Sequence, residues 1–424
     1  MKNFHAFTMT ILFFVLLGFL LSAPFADRSL AQTKTPTPKP PTPFVTRPGS
    51  PEQVLYSGAQ LQAAYDLKPL IDAGFDGQGQ TIALVETNNF SQNDLDSYIK
   101  LNRLPKPNIQ IQTAPSGQPL PIGLEATADI EVILAIAPKA NIIVYELPMP
   151  LDAFALIANG SKAQVVSFSL EICELVLGNQ FFDDFHHLIT TIRAKNITVF
   201  VATGDWGAFG CTHQIQADSK TEVPPEIAKK LAVSGVASDP AVTAVGGTIL
   251  HLKNGRYSSE EVWNLRQADI LASGGGVSVH WPLPDYQKNY LQSGDLNERQ
   301  TRQLPDVVAS ADNFGCFANG FLGNCHGTSL SAPLWAVGTL LVNQYLEARL
   351  KDPAARLNAP DMLYQIRTAY VAGKLDKIPF HDVVKGDNRF YVAGPGYNLA
   401  TGLGAPDFYN IALDAEQLYK QKQN

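Results

Sequence analysis

Residues Thr81–Glu86 read TIALVE, and this apolar run is the first of five that decide the fold. The other four runs are 141–146 (NIIVYE), 163–169 (AQVVSFS), 197–202 (ITVFVA) and 241–245 (AVTAV). Short strands that are apolar on both faces are typical of parallel sheets buried beneath helices. The stretches 126–137 and 182–195, which lie between these runs, have helical composition. The alternation predicts an α/β fold in which helices cover both faces of a parallel sheet.

The composition of the 424-residue chain is that of a folded protein. Hydrophobic residues make up 45% of the chain and charged residues 17%, compared with about 25% charged in ordinary soluble proteins. A disordered or highly charged scaffold is therefore excluded. The net charge is -7 and no cluster of Lys or Arg stands out, which argues against a nucleic-acid partner. So few charges also suit an acidic medium, because fewer groups change their charge on acidification.

The N-terminal part of the chain contains two segments that are not expected to join the core. A basic residue, the apolar run 11–21 and several small residues have the layout of a secretory signal peptide, which spans 1–31. The alternative is an uncleaved membrane anchor, since flanking apolar residues lengthen the run toward bilayer thickness. Residues 32–51 are rich in Thr and Pro and predict an extended linker. We expect one domain over 52–424, in a secreted protein without membrane contact after cleavage.

Four cysteines, an even number, are expected to form disulfide bonds in an exported chain. The sequence alone allows three pairings. Cys316 and Cys325 bracket a loop rich in Gly and Asn, which favours a local bridge and leaves Cys173 with Cys211. The CxxC or His/Cys spacing of a zinc site does not occur in the sequence.

A candidate nucleophile lies in the residues 326–333, which read HGTSLSAP and precede an apolar stretch. The small Gly-Thr lead-in places Ser329 at a tight turn where a helix begins, and the N–H groups of a helix N-terminus stabilise an anionic intermediate. GTSxxxP is a moderately specific signal for the nucleophile of a serine peptidase, and the alternative is an ordinary helix cap. The HGT tripeptide that could supply a histidine base occurs only inside this serine motif.

Acidic residues at two other places are candidates for the acid/base chemistry. Glu125 and Asp129 stand four residues apart in an apolar helical sequence, so they project from the same face. Two carboxyls that share a proton form a tunable acid/base group, although the ExxxD spacing alone is usually a solvated face. Asp205 follows the strand 197–202 in a Gly-Asp-x-Gly turn, at the sheet edge where α/β enzymes keep their sites. The alternative for Asp205 is a plain turn aspartate.

Taken together and in this order, these three pieces resemble the sedolisin family, the serine-carboxyl peptidases. The resemblance extends over nearly the whole folded part, through the blocks at 165–169, 243–248, 274–278 and 304–307. It implies a subtilisin-like fold with the roles of nucleophile for Ser329, general base for Glu125, orienting and protonating carboxyl for Asp129, and oxyanion donor for Asp205. The function that it implies is a secreted, acid-active endopeptidase that cleaves polypeptides as a monomer through an acyl-enzyme on Ser329.

The resemblance also implies one bound Ca²⁺ ion in a C-terminal loop region. Oxygen donors of the kind that a hard cation prefers would come from the carboxylate of Asp382, the carbonyls of Val383, Gly394 and Gly396, and the side chain of Asn398. The family pattern has Asp at position 398. The loss of one negative charge there predicts a site that is weak or empty.

Two further departures from the family pattern have consequences. Leu170 replaces an aromatic residue that often follows the SxS block, which predicts a shortened hydrogen-bond network between Glu125 and Glu86. Family members usually carry a long folded prodomain, and here only the Pro/Thr-rich linker precedes residue 52. The missing prodomain and Asn398 keep an alternative open, a catalytically slow or inactive secreted relative that binds peptides or serves as a structural domain.

Overall fold

An eight-stranded sheet forms the centre of the computed structural model, which describes residues 55–113, 118–212, 223–265, 271–291 and 297–423. The predicted signal peptide 1–31 and linker 32–51 lie outside the described residues. The chain from Leu55 onward forms one compact unit. Within the described ranges, no helix is both long enough and apolar enough to span a bilayer.

The strands of the described residues are β1 (Thr81–Glu86), β2 (Asn108–Thr113), β3 (Asn141–Glu146), β4 (Val165–Phe168), β5 (Thr198–Ala202), β6 (Thr243–Lys253), β7 (Arg256–Val262), β8 (Gly276–Pro282), β9 (Thr301–Leu304), β10 (Val307–Ser310), β11 (Phe314–Ala318), β12 (Phe321–Cys325), β13 (Phe380–His381) and β14 (Ala405–Pro406). The central sheet has the parallel order β10-β6-β5-β4-β1-β3-β2, and β7 pairs with β6 in the antiparallel sense. Antiparallel pairs β8-β9, β11-β12 and β13-β14 lie outside it.

The helices of the described residues are α1 (Gly58–Ala64), α2 (Lys68–Asp72), α3 (Gln92–Asn102), α4 (Leu124–Ile136), α5 (Pro150–Gly160), α6 (Asn179–Ala194), α7 (Pro225–Ala228), α8 (Asp285–Tyr290), α9 (Thr328–Leu350), α10 (Asp361–Val371) and α11 (Phe408–Gln423). Helices α4 and α9 pack on β1 and on each other. Helices α5 and α6 also pack on each other and contact β1 and β5 respectively.

The two faces of the sheet are buried in separate cores. Along β1, Ile82 and Leu84 join one core together with residues of α4 and α9. Ala83 and Val85 join a second core with residues of α5 and α6. Successive side chains of a strand point to opposite faces, so a strand covered on both sides needs apolar residues at every position. The predicted α/β fold with helices on both faces of a parallel sheet is confirmed.

The fifth predicted strand differs most from its expected bounds. It was expected over 241–245, whereas β6 begins at Thr243 and continues to Lys253. The glycines Gly246 and Gly247 look like a strand end in the sequence, but they lie inside β6. A Cβ added to Gly247 would lie 2.5 Å from the Cβ of Ala311, so glycine is required there by close packing.

Helix α9 runs through the middle of the molecule and is buried along most of its length. The indole Nε1 of Trp335 donates a hydrogen bond of 2.9 Å to the carbonyl of Val308, which ties the helix to β10. Gly338 faces the ring of Phe408, the first residue of α11, and a Cβ at position 338 would lie 2.2 Å from that ring. The start of α9 is therefore fixed by the packing of the whole helix.

The β11-β12 hairpin leads directly into α9 and is fastened to two helices by buried carboxyls. Asp94 of α3 accepts hydrogen bonds from the N–H groups of Asn319 (3.0 Å) and Gly320 (2.6 Å) at the hairpin turn. Glu131 of α4 accepts one from the N–H of Phe317 (2.9 Å), and burial raises the pKa of Glu131 to about 9. These contacts hold the segment that precedes Ser329.

Both disulfide bonds that the sequence predicted are present. Cys316 and Cys325 close the β11-β12 hairpin with their Cα atoms 5.9 Å apart. Cys173 and Cys211 join the segment after β4 to the segment after β5, with a Cα separation of 4.9 Å. Two disulfides are consistent with folding in an oxidising compartment.

Candidate active site

Three neighbouring strands of the sheet each end at, or lead into, a polar residue of the candidate site. β1 ends at Glu86, β4 leads into Ser169, and β5 leads into Asp205. These strands are adjacent and parallel, so their carboxyl ends share one edge of the sheet. The first turns of α4 and α9, which contain Glu125 and Ser329, lie at this edge as well. Ligand sites in α/β proteins are found at this edge.

Ser329 lies in the first turn of α9, immediately after a strained connection. Gly327 has φ of 131°, and its N–H donates a hydrogen bond of 2.9 Å to the carbonyl of Ala311. Pro333 has no N–H with which to bond the Ser329 carbonyl inside the helix. The hydroxyl of Ser169 lies 3.5 Å from that carbonyl oxygen instead. The proline of the GTSxxxP motif therefore leaves the backbone of Ser329 open to a contact from the strand end.

The carboxyl of Glu125 lies beside the Ser329 hydroxyl. The start of α4 is held by the side chain of Asn88, which accepts a hydrogen bond of 3.2 Å from the N–H of Ala126. Burial raises the pKa of Glu125 to about 7, although the neighbouring Ser329 hydroxyl favours the charged form. The negative charge of Asp205 raises that pKa further. Glu125 is thus placed to accept the proton of the serine hydroxyl.

Asp129 lies one turn further along α4, and its carboxyl is bonded to that of Glu86. Two ionised carboxylates have no proton to donate, so at least one of this pair must be protonated. Burial raises the pKa of both groups well above their usual values, and the charges of neighbouring carboxyls raise them further. The Ser169 hydroxyl also donates to Asp129 Oδ2, at 2.8 Å. Burial and charge therefore favour the protonated forms of both groups.

The shortened network predicted from Leu170 stays a prediction. Asp129 is bonded to Glu86 and Ser169, whereas Glu125 acts on Asp129 through its charge. Glu86 is brought near Asp129 by its position at the end of β1, a strand on which α4 packs directly.

Asp205 is bonded to the residue that precedes the serine. Its Oδ1 accepts hydrogen bonds from the backbone N–H (2.8 Å) and the hydroxyl (2.9 Å) of Thr328. A Cβ on Gly327 would lie 2.8 Å from Asp205 Oδ2, so only glycine admits this carboxyl so close to the start of α9. Burial raises the pKa of Asp205, while the two bonds from Thr328 and the charge of His326 oppose the rise. Because Oδ1 accepts both bonds, a proton on Asp205 belongs on Oδ2.

Two residues of this site were not singled out in the sequence. The Thr328 hydroxyl also accepts a hydrogen bond of 3.1 Å from the N–H of Gly204, so it joins α9 to the turn after β5. Glu171 Oε2 accepts one of 3.0 Å from the N–H of Asp205, and burial raises the pKa of Glu171 well above its usual value. Thr328 lies inside the GTS motif, which could have identified it, whereas Glu171 carries no such signal.

The five residues that the resemblance assigned to calcium also come together, in the loops beside β13 and β14. Asp382 Oδ1 lies 2.6 Å from the guanidinium of Arg367. The amide nitrogen of Asn398 donates to the carbonyls of Gly394 (2.9 Å) and Gly396 (3.3 Å). The described residues contain no group of three or more His, Cys, Asp or Glu suited to a metal ion. As arranged here, these residues do not fit a Ca²⁺ ion.

A parallel sheet that brings a serine to a carboxyl, where a histidine would otherwise be expected, is the arrangement of serine-carboxyl peptidases. Comparison with protein-family models gives no match. Curated proteins do match: the chain is 30% identical over 387 residues to kumamolisin of Bacillus sp. (strain MN-32) and 30% identical over 275 residues to sedolisin of Pseudomonas sp. (strain 101). These matches support the resemblance to the sedolisin family.

These matches cover a larger share of this chain than of the relatives. The kumamolisin match covers 86% of this chain and 64% of the relative, and the sedolisin match covers 62% and 42%. Human tripeptidyl-peptidase 1 is 25% identical over 312 residues, which are 68% of this chain and 50% of the relative. The chain thus spans less than two thirds of the length of these relatives.

The fold is also similar to that of a solved structure. Pseudomonas sedolisin, described as a serine-carboxyl proteinase complexed with two molecules of pseudo-iodotyrostatin, matches with a TM-score of 0.70 and 23% identity. The match covers 86% of this chain and 98% of that chain. At this level of identity the match supports the fold.

Proposed function

We propose that this protein is a secreted, acid-active endopeptidase that cleaves polypeptides through an acyl-enzyme on Ser329. The observation that carries the proposal is that the Ser329 hydroxyl lies beside the carboxyl of Glu125 and favours its charged form. A serine hydroxyl is a weak nucleophile unless a neighbouring base accepts its proton. The similarity to kumamolisin and the two disulfides support a peptidase of an oxidising compartment.

The acylation step uses both sides of the site. Glu125 takes the proton as Ser329 Oγ forms a bond to the carbonyl carbon of the peptide, and the electron pair of the carbonyl π bond moves onto its oxygen. Asp205, protonated on Oδ2, donates a hydrogen bond to that oxyanion, and the positive end of the α9 dipole stabilises the same charge. The C–N bond then breaks as Glu125 returns its proton to the leaving amine. Water completes the cycle by attacking the acyl-enzyme with Glu125 as base.

The inner carboxyls determine how well Glu125 acts as a base. When Asp129 and Glu86 are both protonated, that pair is neutral, so a negative charge on Glu125 faces no further charge from it. The Ser169 hydroxyl fixes Asp129 from the end of β4. The proposed roles of Asp129 and Glu86 are to orient Glu125 and to supply a proton to it, as in other coupled carboxyl pairs.

The mode of cleavage is tested with a peptide whose N-terminus is acetylated. We expect the purified full chain to cut this peptide at internal bonds at acidic pH, with products identified by mass spectrometry. A tripeptidyl peptidase would release tripeptides from the free form of the same peptide and would leave the acetylated form intact. Products that appear only from the free form would reject the endopeptidase mode and retain the peptidase. No cleavage of either form at any acidic pH would reject the activity.

Thr328→Val is expected to weaken both the fold and the activity. The substitution removes the hydroxyl that donates to Asp205 and leaves the N–H of Gly204 without its acceptor. The loss of a buried hydrogen-bond partner costs about 1–3 kcal/mol, which denaturant unfolding measures. We expect kcat to fall about tenfold with KM unchanged, because Thr328 orients the oxyanion donor Asp205 and not the substrate. Thr328→Ser, which keeps the hydroxyl, is the matched control, and equal losses in both variants would contradict this role.

A further inference from the structure

The loops on either side of the β13-β14 pair are held by donors from the chain itself. Asp382 and Val383 follow β13, and the turn from Gly394 to Asn398 precedes β14. Every oxygen that the family resemblance would give to a calcium ion accepts a hydrogen bond from a protein group. The donors are Arg367 and the N–H of Gly396 for Asp382, the Thr401 hydroxyl for Val383 (3.3 Å), and the Asn398 amide for Gly394 and Gly396.

The Asn398 side chain has only one orientation that satisfies its neighbours. Its Oδ1 accepts hydrogen bonds from the N–H of Ala400 (3.1 Å) and from the N–H and hydroxyl of Thr401 (both 3.0 Å). With the amide reversed, the oxygen would face the carbonyls of Gly394 and Gly396, and the NH₂ would face two N–H donors. The amide nitrogen therefore belongs beside the two carbonyls, at the place where a cation would bind them.

A fixed positive charge is also present at this place. Arg367 of α10 is only 8% exposed, and its Nη2 lies 2.6 Å from Asp382 Oδ1. The guanidinium is oriented by the ring of Tyr370, which lies 5.8 Å from it, and by the hydroxyl of Tyr290, 3.4 Å from Nε. Asp382 contributes the one carboxylate of the expected ligand set. A divalent cation bound to Asp382 would be repelled by Arg367 and would find little negative charge to compensate.

We propose that Arg367 and Asn398 together replace a bound Ca²⁺ ion in this protein, so that its stability does not depend on calcium. The guanidinium supplies the positive charge that Asp382 requires. The asparagine amide supplies the link between the two glycine carbonyls. The loops that flank β13 and β14 are thus closed by covalently attached groups, which cannot be removed by a chelator.

The first test measures calcium on the full wild-type chain. The protein is equilibrated with millimolar CaCl₂ and gel-filtered, and its calcium content is measured by mass spectrometry of the elements. We expect substoichiometric calcium and melting temperatures in CaCl₂ and in EGTA that agree within about 1 °C, because a ligand that does not bind the folded state does not shift its stability. One calcium per chain, with a melting temperature that falls in EGTA, would overturn the proposal.

The second test restores the expected ligand set. In the double variant Arg367→Met, Asn398→Asp, the guanidinium and the amide are lost and a second carboxylate is added. We expect this variant to be less stable than wild type in EGTA and to gain about 5 °C in melting temperature on addition of CaCl₂. Asn93→Asp on the exposed face of α3 adds the same carboxylate elsewhere and should give no response. A variant as stable as wild type in EGTA would contradict the roles of Arg367 and Asn398, and failure of the double variant to fold leaves the wild-type measurement decisive.

Discussion

Ser329→Ala is expected to abolish peptide hydrolysis, lowering kcat by about 10⁴–10⁶-fold, while the fold remains intact. The lost group is the attacking hydroxyl, and Ser329 is only half-buried at the end of a helix whose other residues make the packing contacts. The measurement compares kcat for a peptide substrate with the melting temperature of the same preparation. A variant within tenfold of wild-type kcat would reject Ser329 as the nucleophile.

The matched control is a second serine of the same motif. Ser331 is fully buried, and its hydroxyl donates hydrogen bonds to the carbonyls of Ala309 (2.9 Å) and Ser310 (3.2 Å) in β10. Ser331→Ala should lower the free energy of unfolding by about 1 kcal/mol and leave kcat close to that of wild type. The opposite pattern, with activity lost in Ser331→Ala and kept in Ser329→Ala, would show that Ser329 is not the nucleophile.

The pH dependence of kcat/KM is expected to be bell-shaped with an acidic maximum. Glu125 must be ionised to accept the proton of Ser329, whereas Asp205 must be protonated to donate to the oxyanion. The reactive form is therefore the one in which this pair has lost a single proton. The pair loses its first proton with a pKa that starts from the ordinary carboxyl value of about 4 and is raised by burial. Loss of the second proton is opposed by the negative charge that the first loss leaves, and the pKa of Glu125 is about 7. We expect the maximum between about pH 4 and 7.

Variants of Asp205 separate its two properties, the hydrogen-bond donor and the titrating proton. Asp205→Ala should lower kcat by about 10²–10³-fold, because the oxyanion loses a donor. Asp205→Asn can keep Thr328 bonded through its oxygen and donate from the nitrogen, so it should retain part of the activity and lose the decline at alkaline pH. A histidine base would give the reverse profile, with activity lost below about pH 6. A wild-type maximum at or above neutral pH, with Asp205→Asn fully active and unchanged in profile, would reject the carboxyl mechanism.

The sequence was most informative where function depends on local periodicity. The apolar runs of β1 and β3 predict strands because both faces of these strands are buried, which requires apolar side chains at consecutive positions. The same holds for Glu125 and Asp129, since an interval of four residues places two side chains on one face of any α-helix. The helix start at Ser329 was predictable as well, because the Gly-Thr lead-in and the later proline constrain the backbone locally.

Contacts between distant segments were less predictable. Glu171 meets the N–H of Asp205 only because β4 and β5 are neighbours in the sheet. Strand β6 continues through its glycines because this stretch pairs with β10, which no local rule indicates. The direction of the Asn398 amide is determined by the backbone groups around it, whereas its residue type alone indicated only a lost charge.

Helix α9 carries the reactive serine and is exposed only when the whole domain unfolds. Thr328 and the residues up to Asn343, apart from the half-buried Ser329, are buried between the sheet, α4 and α11. Such a segment exposes its amides only when the whole domain opens, since there is no local opening that would release it. Loss of catalysis on heating should therefore coincide with cooperative unfolding and not precede it. A molecule that still cleaves substrate is therefore folded, and its core is protected from digestion by other molecules of the same peptidase.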